Sequence, residues 1–175
     1  MTREERFSAL AHEHSSSLLR YLRRRHDGTG ATSADDVLSD VLLVAWRRFD
    51  DIPEGLEAPW LFNVAHRCLA NDRRKQGRRK ELIVRLRARG DSPSAEEEAL
   101  AVDAMRSGLA ALKTQEREAL LLSAWEGLSP QELAIALGIS ENAAAIRLSK
   151  AKTKLQAELD AKKEESFSRP KTSPH

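Results

Sequence analysis

The sequence predicts an all-α protein: two small helical domains joined by a flexible linker, the C-terminal one carrying a helix-turn-helix. Three observations predict it. Apolar residues recur at spacings of three and four along most of the chain, and no stretch shows the alternation of a half-buried strand. The 175 residues are 41% hydrophobic, 32% charged and only 5% aromatic, which suits small cores beneath long solvated helix faces. Turn residues and a reversal of charge meet at Asp91-Ser92-Pro93-Ser94, which marks a boundary. The expected layout is a first domain over 1–80, a linker over 81–95, a second domain over 96–160 and a disordered polar tail over 161–175.

The first helix is expected from Phe7 to Arg25, with Leu10, His14, Leu18, Tyr21 and Leu22 on one face. Arg20, Arg23, Arg24 and Arg25 close it, where cations suit the negative end of the helix dipole. Asp27-Gly28-Thr29-Gly30 breaks it. Thr32 or Ser33 caps a second helix running to about Phe49, with Asp35 and Asp36 in its favoured acidic first turn. Val37, Leu38, Val41, Leu42, Ala45 and Phe49 form its apolar face, and Asp36, Ser39 and Asp40 point elsewhere. Two prolines and a glycine make Asp50–Pro59 a loop. Trp60 opens a third helix, with Leu61, Ala65, Cys68 and Leu69 buried and Trp60 and Val64 beside them. Its polar side carries Asn63, His66, Arg67, Asn71, Arg74 and Lys75, and Gly77 weakens it.

Beyond the boundary, a helix is expected over Ala95–Leu112, with Leu100, Met105, Leu109 and Leu112 inward. Thr114 caps the next, from Gln115 to Trp125, with Leu120, Leu121 and Ala124 inward and Gly127 at its end. Ser129-Pro130-Gln131-Glu132 then reads as a helix start. Ser129 caps, Pro130 loses nothing at the first helical position, and Glu132 closes a capping box. Gly138 ends that short helix because it takes the left-handed conformation freely. Ile139 plugs the turn and Ser140 caps the last helix, where Ala144, Leu148, Ala151 and Leu155 recur at spacings of four, three and four. From about Ala161 the pattern fades.

The net charge of +2 hides strong segregation. Between Asn63 and Gly90 stand ten Lys or Arg against two acids, while Thr32–Glu57 holds seven acids against two bases. A basic block beside acidic ones suits one surface for a polyanion and another for a basic partner. A single Cys rules out an internal disulfide framework and a Cys-based metal site. No apolar run reaches the roughly 18 residues of a membrane span, and the charged N-terminus has no apolar signal core. A cytoplasmic location is expected. The chain has no Gly-rich phosphate loop and no arrangement of nucleophile and base, so no catalytic residue is assigned. His12 and His14 lack a third ligand, so neither a metal nor a cofactor is expected.

A short helix, a Gly turn and a second helix suit a unit whose second helix enters the major groove. The exposed side of that helix carries Glu141, Asn142, Ala145, Ile146 and Ser149, flanked by Arg147, Lys150, Lys152 and Lys154. Asn142 suits an adenine edge, Ala145 and Ile146 suit a thymine methyl, and the cations suit phosphates. The competing interpretation is a helical hairpin that only packs. The basic run Arg73–Lys80 ends a helix whose polar side also offers Asn63, Arg67 and Asn71, which suits phosphate tracking. The aromatic-flanked loop beside it suits capture of a single-stranded base, with a merely structural Trp60 as the alternative.

Taken in order, ADDVLSDVLLVAWRRF, a proline loop, PWLFNVAHRCLANDRRKQGRR, a linker and a helix-turn-helix ending RLSKAKTKL resemble a bacterial RNA polymerase sigma factor of the extracytoplasmic-function (ECF) group. The resemblance covers about residues 7–157. It implies that Asp36, Ser39 and Asp40 face the beta-prime clamp of core RNA polymerase. It implies that Asn63, Arg67, Asn71 and Arg74 read the minus-ten element, with the Asp50–Pro59 loop receiving a non-template base. It implies that Asn142, Ala145, Ile146, Arg147 and Lys150 read the minus-thirty-five element, near the beta flap. The linker would run toward the RNA exit path. The expected partners are thus core polymerase, promoter DNA and an anti-sigma factor, with no membrane insertion and no enzymatic activity. Ser39 and Leu42 stand where the group usually has Gln and Phe, and Ala143-Ala144-Ala145 where it often has Thr-Val-Lys. Promoter sequence is therefore not carried over. The alternative is a stand-alone helix-turn-helix regulator, which leaves the acidic helix and the Trp60 helix without a role.

Overall fold

The computed structural model describes residues 1–26, 32–80 and 96–168, with side chains placed in these except for 75–80, 96–103 and 166–168. Every regular element among them is helical: α1 (Arg3–Arg25), α2 (Ala34–Arg47), a 3-10 turn (Phe49–Asp51), α3 (Glu57–Lys80), α4 (Glu96–Ala111), α5 (Thr114–Glu126), α6 (Pro130–Leu137) and α7 (Glu141–Ser168). The chain divides into two compact units. One lies within Met1–Ala88 together with Gln131–Ser140, the other within Arg89–Pro130 together with Glu141–His175. In this division α6 groups with the first unit.

In the first unit α1, α2 and α3 pack on one another. Leu18, Tyr21 and Leu22 of α1, Val37 and Val41 of α2, and Leu61, Ala65 and Leu69 of α3 are each at most 2% exposed, which sets the facing sides of the three helices. The Tyr21 and Phe62 rings meet edge-on at 5.3 Å, and Phe7 meets Trp46 at 5.1 Å and Phe49 at 5.8 Å. Such edge-to-face pairs suit the ring quadrupoles. Arg3 lies over the Trp46 ring at 4.4 Å and donates to the Trp46 carbonyl at 2.9 Å. These contacts explain why α1 starts at Arg3 rather than Phe7. Thr2 and Glu5 form a capping box upstream of the apolar stripe, and Arg3 is tied to α2.

Helix α3 begins at Glu57, three residues before Trp60. Pro59 falls in its first turn, where a missing N–H breaks no helical bond, and it is buried there. The expected loop Asp50–Pro59 is therefore shorter. It is built from the 3-10 turn and a bend at Gly55, whose φ of 76° is the left-handed region. Gly77 does not interrupt the helix, which runs unbroken to Lys80. Cys68 is half-buried rather than part of the deep stripe.

In the second unit α7 packs against both α4 and α5. A Cβ on Gly108 of α4 would stand 2.6 Å from Leu155 Cδ1 of α7, so glycine permits this close approach. The Arg117 side chain donates to the carbonyls of Leu109, Ala110 and Leu112, which satisfies acceptors at the end of α4. Lys113, not Thr114, caps α5, and its backbone N–H donates to the Glu116 carboxylate at 3.1 Å. The inward face of α5 is Glu116, Ala119, Leu120 and Leu122, while Leu121 is half-buried and Ala124 exposed. Burial of Glu116 against α7 turns the helix to this face. Met105 is 43% exposed rather than inward. The tail expected from Ala161 is helical to Ser168, since an Ala, Lys and Glu sequence favours helix and α7 continues from a packed segment. The side chain of Leu100, and residues Asp27–Gly30, the linker 81–95 and residues 169–175, lie outside what the structure describes.

Candidate nucleic-acid interface and acidic face

Asp36, Ser39 and Asp40 are all exposed on one side of α2. Leu43, one turn further, is 46% exposed on the same side and joins them as an apolar neighbour. Sequence periodicity missed it because the run VLLVAW has apolar residues on every side of the helix; its i+3 spacing from Asp40 was the available signal. Asp36 also has a local task. Its carboxylate accepts from the Ser33 backbone N–H and hydroxyl, both at 2.7 Å, in a capping box. The backbone bond first and the hydroxyl second hold its carboxyl below the ordinary aspartate value. Ser39 donates back to the Asp35 carbonyl at 3.0 Å, and Asp35 lies 3.5 Å from Arg23.

Asn63, Arg67, Asn71 and Arg74 recur at spacings of four, four and three, so they share one side of α3. Arg67, Asn71 and Arg74 are exposed. Asn63 differs from the expectation of a free base reader. It is half-buried, and its amide donates to the carbonyls of Ile135 at 3.0 Å and Ala136 at 3.1 Å in α6. The rotation of α3 is fixed from behind. Asp72 Oδ2 is buried 3.4 Å from His26 Nε2 at the end of α1, and Arg73 donates to the Arg25 carbonyl at 2.6 Å. Arg73, the first cation of the basic run, thus braces the fold. The side chains of Lys75 and of the rest of that run lie outside the described residues.

The bend at Gly55 borders a cavity of about 520 Å³, lined by Arg6, Leu10 and His14 from α1, Phe49 and Ile52 from the turn, and Glu132 from α6. Arg48 lies over the half-buried Trp60 ring at 5.7 Å and is paired with Asp51 at 2.9 Å. Trp60 is thus only partly in the core.

Gly138 ends α6 as expected, with φ 65°. Ile139 N–H donates to the Ala134 carbonyl and Gly138 N–H to that of Ile135, the paired bonds of a Schellman end. In α7, Ala144, Leu148 and Ala151 are buried. Asn142, Ala145, Ile146 and Lys150 are exposed and Arg147 is half-buried, so the expected reading side faces outward. Ile146 is 46% exposed, a large apolar side chain offered to solvent. Lys154 is a correction. Its ammonium bonds both Glu116 carboxylate oxygens at 2.8 and 2.9 Å, so it joins α7 to α5 instead of flanking DNA. That bond is the main reason the Glu116 carboxyl sits below its ordinary value, against the opposing effect of burial. Among the described residues no cluster of His, Cys, Asp and Glu could hold a metal, and no helix is long and apolar enough to cross a membrane.

The segment 103–155, which contains α5, α6 and the first half of α7, matches the family model described as sigma-70, region 4. Over 153 residues the chain is 32% identical to the RNA polymerase sigma factor CnrH of Cupriavidus metallidurans, covering 80% of each protein. It is 30% identical to the ECF RNA polymerase sigma factor EcfG of Rhodopseudomonas palustris, over 73% of this chain and 71% of that one. The chain belongs to the ECF group of RNA polymerase sigma factors. Its fold also matches the solved structure of CnrH in complex with the cytosolic domain of CnrY, with a TM-score of 0.57 and 29% identity over 90% of each chain. As a sigma factor it binds core RNA polymerase and directs it to promoters, and the stand-alone regulator is set aside. The sigma-factor relatives are not enzymes in themselves.

Proposed function

We propose that this sigma factor divides promoter recognition between α3 and α7 and docks on polymerase through the exposed side of α2. The observation that carries the reading is the exposure of Arg67, Asn71 and Arg74 on one side of a helix whose rotation is fixed by the Asp72 and Arg73 ties to α1. Asp36, Ser39 and Asp40, with Leu43, present an acidic rim and an apolar residue to the beta-prime clamp. Asn63, Arg67, Asn71 and Arg74 serve the minus-ten element, where Asn suits adenine and Arg suits guanine or phosphate. The bend at Gly55 and its cavity take a base released from the duplex. Asn142, Ala145, Ile146, Arg147 and Lys150 serve the minus-thirty-five element, near the beta flap. Ala145 and Ile146 offer methyl contacts and few donors, so shape and apolar readout carry much of this recognition. Two weak contacts suffice because polymerase links them and raises the effective concentration of each.

The protein acts in the cytoplasm, has no enzymatic activity of its own and is controlled by an anti-sigma factor that covers the polymerase-binding side. Support for the last point is by analogy: the sigma factor CnrH, 29% identical, is solved in complex with the cytosolic domain of CnrY. The functional division remains 1–80 for polymerase and minus-ten contacts, 81–95 as linker and 96–160 for the minus-thirty-five contact, even though α6 groups with the first unit.

The test is run-off transcription with core polymerase on genomic fragments, paired with a polymerase pull-down. Arg67→Ala and Asn71→Ala are expected to reduce run-off product about tenfold or more while polymerase capture stays intact. Asp36→Arg with Asp40→Arg is expected to abolish capture; capture at the unmodified level would exclude α2 as the docking helix.

A further inference from the structure

We infer that His26, which closes α1, is a positioning residue for promoter reading: with its imidazole protonated it holds α3 against the end of α1 and the start of α2, and that hold weakens as the proton leaves. The inference rests on the proposed roles of α2 and α3 and adds a titratable joint between them.

The last turn of α1 is where the three helices of the first unit are tied. His26 is its C-cap, and its backbone N–H donates to the Leu22 carbonyl at 2.8 Å. Toward α3, His26 Nε2 stands 3.4 Å from Asp72 Oδ2, and Arg73 donates to the Arg25 carbonyl at 2.6 Å. Toward α2, Arg23 stands 3.5 Å from Asp35. One turn thus meets two further helices, and each meeting point adjoins a proposed working face. Asp35 precedes Asp36 of the docking side. Asp72 and Arg73 lie between Asn71 and Arg74 of the reading side, and both of those are exposed. Successive residues of a helix are about 100° apart, so what grips positions 72 and 73 sets where 71 and 74 point.

The imidazole is the part of this joint whose charge changes. The His26 and Asp72 side chains are only 6% and 9% exposed, so solvent screens little of what passes between them. The other charged groups of the joint are Arg23 and Arg25 from α1, Asp35 and Asp36 from α2, and Arg73 from α3. Arg25 is itself buried, 4.0 Å over the Tyr21 ring. Arginine keeps its charge, whereas imidazole is the side chain that changes charge between about pH 5 and 8. Asp36 registers the same charge. Its carboxyl is held low by the Ser33 backbone bond and then the Ser33 hydroxyl, and a positive His26 adds to both against the effect of burial.

The direction of the effect follows. A charge-assisted contact between His26 and Asp72 is stronger than one with a neutral ring. A less firmly held α3 presents Asn71 and Arg74 correctly in a smaller fraction of molecules, and apparent affinity falls with that fraction. Promoter reading is therefore strongest with His26 protonated and weakens as pH rises through the imidazole range.

The test has two arms, both on the full chain. In the first, the backbone amide resonances of Asp36, Asp72 and Arg73 are followed by nuclear magnetic resonance from pH 6 to 8. They are expected to move together in the native chain and in His66→Gln, the other histidine of α3, and to lose that movement in His26→Gln. Movement retained in His26→Gln, or lost in His66→Gln, overturns the inference. In the second, run-off with core polymerase is measured at pH 6.5 and 8.0 for the native chain and for His26→Gln, so that the pH dependence of polymerase cancels in their ratio. The native-to-variant ratio is expected to fall about threefold or more between the two pH values. A constant or rising ratio overturns the inference. Should His26→Gln melt early by circular dichroism, Asp72→Asn removes the pair while keeping the imidazole, and the same fall in ratio is expected of it. Arg67→Ala at a single pH tests the reading of α3 by itself: unchanged run-off strikes that reading, whereas impaired run-off with a pH-independent ratio strikes the joint alone.

Discussion

Asp36 and Glu116 show how one carboxylate can hold a helix start and serve a second end. Asp36 closes the box with Ser33 and also stands on the proposed polymerase face. Its carboxyl titrates below its ordinary value of 3.8, and that of Glu116 below 4.5. A depressed folded value means the ionised form is favoured by folding, so this stability is present above the unfolded value and is lost as pH falls through the folded one. The expected outcome is a thermal midpoint that declines below about pH 4. Asp36→Asn and Glu116→Gln should each flatten part of that decline, as circular dichroism melts across pH 2–6 would record. An unchanged slope in both variants would remove the capping bonds as its cause.

At the scale of elements, two joints hold the helices in place. The His26–Asp72 pair ties the end of α1 to the middle of α3, with Asp72 only 7% exposed. Replacing Asp72 by Ala removes the buried carboxylate beside His26, and losing one partner of a buried polar contact costs about 1–3 kcal/mol. The expected result is a fall of that size in urea unfolding, together with weaker run-off from a loosened α3. The second joint is α4 against α7 at Gly108. Gly108→Ala sets a gain in helix propensity of about 1 kcal/mol against displacement of the Leu155 methyl, and should be close to neutral. Gly108→Val adds a stiff branched side chain and should cost about 1–3 kcal/mol. A neutral valine variant would show that α4 does not approach α7 this closely in solution.

At the scale of the whole molecule, the sigma factor joins an acidic helix, a basic helix and an outward-facing α7 in one chain. Ile146 is the sharpest probe of the last. Ile146→Ser keeps helix and charge but removes the apolar contact proposed for a thymine methyl. Run-off from promoters with an intact minus-thirty-five element should fall about fivefold or more, while polymerase capture is unaltered. An equal fall on templates lacking that element would place Ile146 in folding instead.

Much of this was legible in the sequence, because helix faces are local. Spacings of three and four place Ala144, Leu148 and Ala151 inward and Asn142, Ala145 and Ile146 outward with no knowledge of the rest of the fold. Gly138 announces its turn because few other residues enter the left-handed region. The acidic start of α2 and the basic side of α3 follow from the same periodicity. The tertiary structure alone decided which polar side chains remain available. Lys154 meets Glu116 across 38 residues, the end of α1 at His26 meets the middle of α3 at Asp72, and Asn63 meets the end of α6 across 72. Spacing says which side of a helix a residue is on, but not what the chain brings against that side, since such pairings depend on packing between distant segments.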